Sequence, residues 1–163
     1  MNDPLTLHIR LNGEPRVFAA DPDEKLLELL RRHGLKGAKF GCREGVCGAC
    51  TVLLDGRAVY ACLLPACLAD GHEVVTIEGV GDQEHPHPFQ QALVEAGAVQ
   101  CGFCIPGMVL SAKALLDENP QPEDEEIREK MDGNLCRCTG YEKIWTALKA
   151  VIAAGGGGGE DAS

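Results

Sequence analysis

The chain has 163 residues, of which 45% are apolar and 25% charged, proportions of a folded protein rather than a disordered one. Acidic residues outnumber basic ones 25 to 15, for a net charge of −10 with neutral histidines. That balance argues against a nucleic-acid backbone or an anionic lipid surface as the main partner. The longest nearly uncharged apolar stretch, residues 58–69, contains a proline and is too short to span a bilayer, so no membrane insertion is expected. The first residues, MNDPLTLHIR, show neither a basic region followed by an apolar one nor a twin arginine, and a cytoplasmic location is expected. Nine cysteines in such a chain point to metal or cluster ligation rather than disulfides.

Taken in order, residues 5–11 alternate apolar and polar side chains, the pattern of a half-buried strand. Asn12-Gly13 signals a tight hairpin, with residues 16–19 returning as the second strand. Asp21, Pro22 and Glu24 read as N-cap, N1 and N3 of a helix whose buried stripe is Leu26, Leu27, Leu29 and Leu30, stopped by Gly34. Residues 35–50 have no period and hold Gly37, Gly41, Gly45 and Gly48 with three cysteines, a loop. Strands are expected at 51–54, 58–61 and 73–77, the first two joined by a turn at Asp55-Gly56. Residues 79–87 read as a polar linker. Helices follow from Pro88, from Pro106 to the residue before Asn119-Pro120, over 122–131 and over 141–154.

The expected fold class is therefore α+β. A first domain, 1–79, carries a β-grasp arrangement; a second, 80–154, is all helix, a four-helix bundle; 155–163 form a disordered tail.

The cysteines fall into two sets of four. Cys42-x4-Cys47-x2-Cys50 with Cys62 has the spacing of plant-type [2Fe–2S] ligands. A rhombic two-iron core needs two thiolates on each iron; a tight loop supplies three and a neighbouring strand the fourth. Gly41, Gly45 and Gly48 let backbone N–H groups approach the sulfurs. A structural zinc site more often uses two short chelating pairs. The second set, Cys101-x2-Cys104 and Cys136-x-Cys138, is less decisive by itself, although both pairs lie just ahead of expected helices, whose N-termini favour negative charge. Cys67 reads as a buried inert thiol, His85 and His87 as a solvated turn, and Trp145 as core. Arg137 lies between two candidate ligands and either offsets their charge or sits at the surface. No nucleophile triad, paired carboxylates or Walker loop stands out. The visible chemistry is electron transfer.

Together these motifs resemble the iron–sulfur subunit of the molybdenum hydroxylases, the xanthine oxidase family. The likeness lies in residues 39–52 (KFGCREGVCGACTV) with Cys62, in 100–104 (QCGFC) with 106–108 (PGM), and in 133–141 (GNLCRCTGY), and runs from about Leu5 to Ala154. Ile105 departs from it, standing where the family more often has threonine. The resemblance implies a ferredoxin-like domain followed by a four-helix domain, each holding one [2Fe–2S] cluster through the four cysteines of its set. It implies a large molybdopterin-binding partner subunit that hydroxylates an aldehyde or an N-heterocycle, and transfer of the electrons through both clusters, usually to FAD on another subunit or domain. Gln100 and Cys138 match positions that approach the molybdopterin, which places the helical-domain cluster nearest to it. Two other readings are a free-standing ferredoxin-like carrier and a zinc-stabilised interaction module.

Overall fold

The structure, a computed structural model, describes residues 3–155. Strand β1 (Leu5–Leu11) pairs antiparallel with β2 (Glu14–Ala20) across a turn in which Asn12 and Gly13 both take positive φ. Strands β3 (Thr51–Leu54) and β4 (Arg57–Tyr60) form a second hairpin, with positive φ at Asp55 and Gly56. Strand β5 (Glu73–Val75) lies between the hairpins, parallel to β1 and antiparallel to β3, giving one mixed sheet in the order β2-β1-β5-β3-β4.

Helix α1 (Leu26–Arg32) crosses one face of this sheet. Leu26, Leu27, Leu29 and Leu30 are all at most 1% exposed and meet Leu7, Ile9, Phe18 and Val52 in a first core. The helix begins four residues later than the N1 position expected from Asp21-Pro22. Residues 24–26 are committed elsewhere: Leu26 donates to the Leu64 carbonyl and Ala66 donates to the Glu24 carbonyl. Asp21 only closes a turn, accepting from Glu24 N–H. The stop is as expected. Gly34, at φ +89°, donates to the Arg31 carbonyl while Leu35 donates to Leu30, the paired bonds of a Schellman ending.

Helices α2 (Pro88–Glu95), α3 (Ile105–Glu118), α4 (Asp124–Met131) and α5 (Glu142–Ala153) make up the second half. Their core gathers Phe89, Leu93, Met108, Leu110, Leu115, Leu116, Ile127 and Leu148. Leu53 of β3 belongs to this core, whereas its neighbour Val52 belongs to the first. A strand sends successive side chains to opposite faces, so β3 is covered by α1 on one side and by the helical half on the other.

Several expected features differ. Strand β5 stops at Val75, because Asn12 captures Thr76: its Oδ1 accepts from Thr76 N–H at 2.8 Å, and a single 3-10 turn follows at Ile77–Gly79. The segment 79–87 is a folded connection rather than a loose linker, with Val80 buried and Gly81 bridged to Pro86. His87 is no solvated turn residue. It caps α2, its Nδ1 accepting from Phe89 N–H at 3.2 Å while Gln90 Oε1 accepts from His87 N–H at 2.9 Å. Cys67 and Trp145 are only partly buried, against the first and second cores respectively. The tail expected to be disordered falls, beyond Gly155, outside the described residues.

Candidate metal centres

The first set is built on the loop between α1 and β3. Cys42 and Cys47 lie on the loop, Cys50 at its end is buried, and Cys62 follows β4 and is also buried. Backbone N–H groups converge on the sulfurs. Cys42 Sγ accepts from Glu44 at 3.4 Å, Val46 at 3.3 Å and Cys47 at 3.4 Å, and Cys47 Sγ accepts from Cys42 N–H at 3.3 Å. The glycines make this possible. A Cβ at Gly41 would stand 2.5 Å from Cys47 Sγ, and Gly45 takes φ +73°.

These contacts divide the thiols chemically. Backbone N–H donors pull Cys42 down to about 6, well below the ordinary thiol value. Burial pushes Cys50 up to about 12, with Cys62 as its hydrogen-bonding neighbour. Cys42 and Cys47 thus each donate a backbone N–H to the other's sulfur, and Cys50 has Cys62 as its hydrogen-bonding neighbour, a two-and-two division of the set.

The second set joins two segments that precede helices. Cys104 is the N-cap residue of α3, and Cys138 lies four residues ahead of the first residue of α5. Cys101 Sγ and Cys138 Sγ are 3.6 Å apart. Cys104 and Cys136 are the inner pair; burial, then its hydrogen bond with Cys136, raises the Cys104 thiol to about 12. Cys136 is lowered despite its burial, because Thr139 hydrogen-bonds it twice, from Oγ1 at 3.1 Å and from N–H at 3.4 Å. Cys101 and Cys138 are exposed, as are Gln100 and Arg137. Gln100 Nε2 donates to the Cys138 carbonyl at 3.1 Å, so the two residues singled out for a shared position are in direct contact.

The donor sets fit a two-metal core: four thiols each, sorted two and two, with N–H or O–H donors aimed at sulfur. No group of three or more His, Cys, Asp or Glu among the described residues is arranged to hold a single metal ion.

Three residues of the sites had no assigned role in the sequence. Thr139 donates to Cys136 Sγ. Tyr141, at φ +70°, accepts from Cys136 N–H at its hydroxyl at 2.7 Å. Asn134 is 2% exposed at the junction of the two halves. A small hydroxyl directly after the second pair of cysteines, and an amide two residues ahead of that pair, were the only signals.

Comparison with known proteins agrees with this geometry. Residues 9–74 match the family described as 2Fe-2S iron-sulfur cluster binding domain, and residues 76–149 match the [2Fe-2S] binding domain family. The chain is 52% identical over 149 residues to the nicotinate dehydrogenase small FeS subunit of Eubacterium barkeri, covering 91% of this chain and 95% of that one. It is 45% identical to the aldehyde oxidoreductase of Megalodesulfovibrio gigas over 89% of this chain but 16% of that one, where the same unit is part of a much longer polypeptide. The crystal structure of quinoline 2-oxidoreductase from Pseudomonas putida 86 contains a chain that superposes with a TM-score of 0.88 at 43% identity, covering 94% of this chain and 97% of that chain. The chain belongs to the iron–sulfur subunits of the molybdenum hydroxylases, the xanthine oxidase family. It is an electron-transfer subunit of an oxidoreductase, with two [2Fe–2S]-binding domains.

Proposed function

We propose that Cys42, Cys47, Cys50 and Cys62 hold one [2Fe–2S] cluster in a domain comprising residues 1–79, and that Cys101, Cys104, Cys136 and Cys138 hold the other in a four-helix-bundle domain comprising residues 80–154. The observation that carries this reading is the two-and-two pairing of the thiols in both sets. When bound, each cluster supplies a one-electron redox centre. The chain's own groups tune it. The three N–H donors to Cys42 Sγ and the two Thr139 donors to Cys136 Sγ favour the more negative, reduced state.

The partner is a large molybdopterin-binding subunit, with FAD on a further subunit or domain as acceptor, and the assembly works in the cytoplasm. Gln100 and Cys138 form the surface turned towards the molybdopterin; both are exposed, and they touch each other. An N-heterocyclic substrate is supported by relatives named for nicotinate and quinoline, and an aldehyde by the third. No helix among the described residues is long and apolar enough to cross a membrane.

The test combines composition and order. Anaerobically purified protein should contain about four iron and four sulfide per chain; stoichiometric zinc without visible absorbance refutes the assignment. With substrate and rapid-freeze EPR on the assembled enzyme, Cys47→Ser should still reduce its remaining cluster. Cys104→Ser should reduce its remaining cluster much more slowly. Native-rate reduction in the Cys104 variant reverses the proposed order.

A further inference from the structure

The two cluster loops come from distant parts of the sequence, and they meet at one buried amide. Asn134 lies two residues ahead of Cys136, and its side chain is 2% exposed. Of its two carboxamide orientations, one satisfies every neighbour. In it Oδ1 accepts from Ser111 Oγ at 2.7 Å, and Nδ2 donates to the Gly48 carbonyl at 3.2 Å and to the Gly107 carbonyl at 3.3 Å. Gly48 lies between Cys47 and Cys50. Gly107 lies three residues after Cys104, in the first turn of α3. One side chain thus bonds the ligand loop of the first set, the helix start of the second, and a hydroxyl one turn further along that helix.

The surroundings leave no slack. A Cβ at Gly48 would stand 2.6 Å from the Asn134 carboxamide and collide with the Gly133 carbonyl. A Cβ at Gly107 would stand 2.8 Å from the carboxamide and collide with the Gly48 carbonyl. The Gly48 carbonyl is itself held by Thr51, which donates from Oγ1 at 2.7 Å and from N–H at 3.1 Å. Two further bonds cross beside the amide: Leu135 N–H to the Cys47 carbonyl at 2.9 Å, and Tyr60 Oη to the Gly133 carbonyl at 3.1 Å.

We infer that Asn134 is a positioning residue that fixes the distance and orientation of one cluster relative to the other. The argument is one of geometry and desolvation. A carboxamide offers two donors and an acceptor in one plane, which matches two carbonyls and a hydroxyl. An apolar side chain would leave the two carbonyls and the Ser111 hydroxyl without that partner in a closed site, and the loops would separate to admit water. Asn134 touches no cluster ligand side chain among its bonds; it acts through the backbone directly after Cys47, ahead of Cys136 and in the helix turn after Cys104. The inference rests on the cluster assignment proposed above.

The test uses the assembled enzyme, chemically reduced so that both clusters are paramagnetic, with pulsed EPR reading the magnetic interaction between them. Asn134→Leu keeps the branched shape and the number of heavy atoms and removes every side-chain hydrogen bond; Ser111→Ala removes only the group that orients the amide. Iron, sulfide and visible absorbance establish first that both clusters are present. The expected result is native cluster content with a changed interaction, largest in Asn134→Leu and smaller in Ser111→Ala. Native cluster content with an unchanged interaction in either variant that assembles overturns the inference. Loss of the second cluster alone in both variants also overturns it, because it reduces Asn134 to a structural residue of the helical half. A native enzyme without two [2Fe–2S] signals refutes the cluster assignment instead, and this inference with it.

Discussion

The backbone N–H of Leu135 donates to the carbonyl of Cys47 at 2.9 Å, so the residue next to Cys136 of the second cysteine set is bonded directly to a cysteine of the first. Beside it, Tyr60 Oη donates to the Gly133 carbonyl at 3.1 Å. Burial raises the Tyr60 phenol, keeping it a donor. Tyr60→Phe should cost about 1 kcal/mol. Amide exchange at Leu135 should accelerate in this variant, while exchange in the β1–β2 hairpin stays native.

Glycine substitutions should separate strain from collision. Gly56, at φ +77° in the β3–β4 turn, has no atom within 4 Å of a Cβ. Gly56→Ala should therefore cost only the left-handed backbone penalty, about 1–2 kcal/mol. Gly48→Ala adds overpacking of about 1–3 kcal/mol at φ +67° against Gly133 and Asn134. Thermal melts of the cluster-loaded protein should rank wild type above Gly56→Ala, and Gly56→Ala above Gly48→Ala.

Thr139→Val retains shape and removes the hydroxyl that donates to Cys136 Sγ. Loss of one bond to a charged sulfur should lower the potential of the second cluster by roughly 40 mV per kcal/mol of differential stabilisation. A redox titration followed by EPR should find the first cluster unchanged.

The His87 cap makes α2 sensitive to mild acid. Burial, then the nearby Lys113 ammonium, hold this imidazole below its ordinary value, with Asp117 opposing. The folded state therefore favours neutral His87, and the unfolded chain binds more protons as pH falls. Stability from this group is fully present above the unfolded value, about 6.5, and is lost as pH falls from there through the folded value. Protonation also removes the Nδ1 lone pair that accepts from Phe89 and places a positive charge at a helix N-terminus. His87→Asn keeps a capping acceptor, and its melts between about pH 7.5 and 5.5 should lose less stability than those of wild type.

By itself the sequence determined the local elements and the chemistry. Alternation over Leu5–Leu11, positive-φ turns at Asn12-Gly13 and Asp55-Gly56, and the leucine stripe of α1 are short-range patterns, and they hold. The grouping of eight cysteines into two sets of four lies in the sequence; spacing and glycines pointed the first set to a [2Fe–2S] core, because ligand type and loop length constrain such a site before any fold forms, whereas the second set was less decisive by itself. Only the tertiary structure decided what depends on distant backbone. Helix α1 starts at Leu26 because Glu24 and Leu26 bond the segment around Leu64–Ala66. Strand β3 is buried on both faces because α3 packs where an isolated ferredoxin-like sheet would meet water. Four cysteines allow three pairings, and spacing could not choose Cys101 with Cys138 and Cys104 with Cys136; the two segments ahead of α3 and α5 had to meet first. The same holds for Asn134, whose partners Gly48, Gly107 and Ser111 have no mark in a linear pattern. A buried amide is specified by the carbonyls it must satisfy, and those are brought together only when both halves have folded against each other.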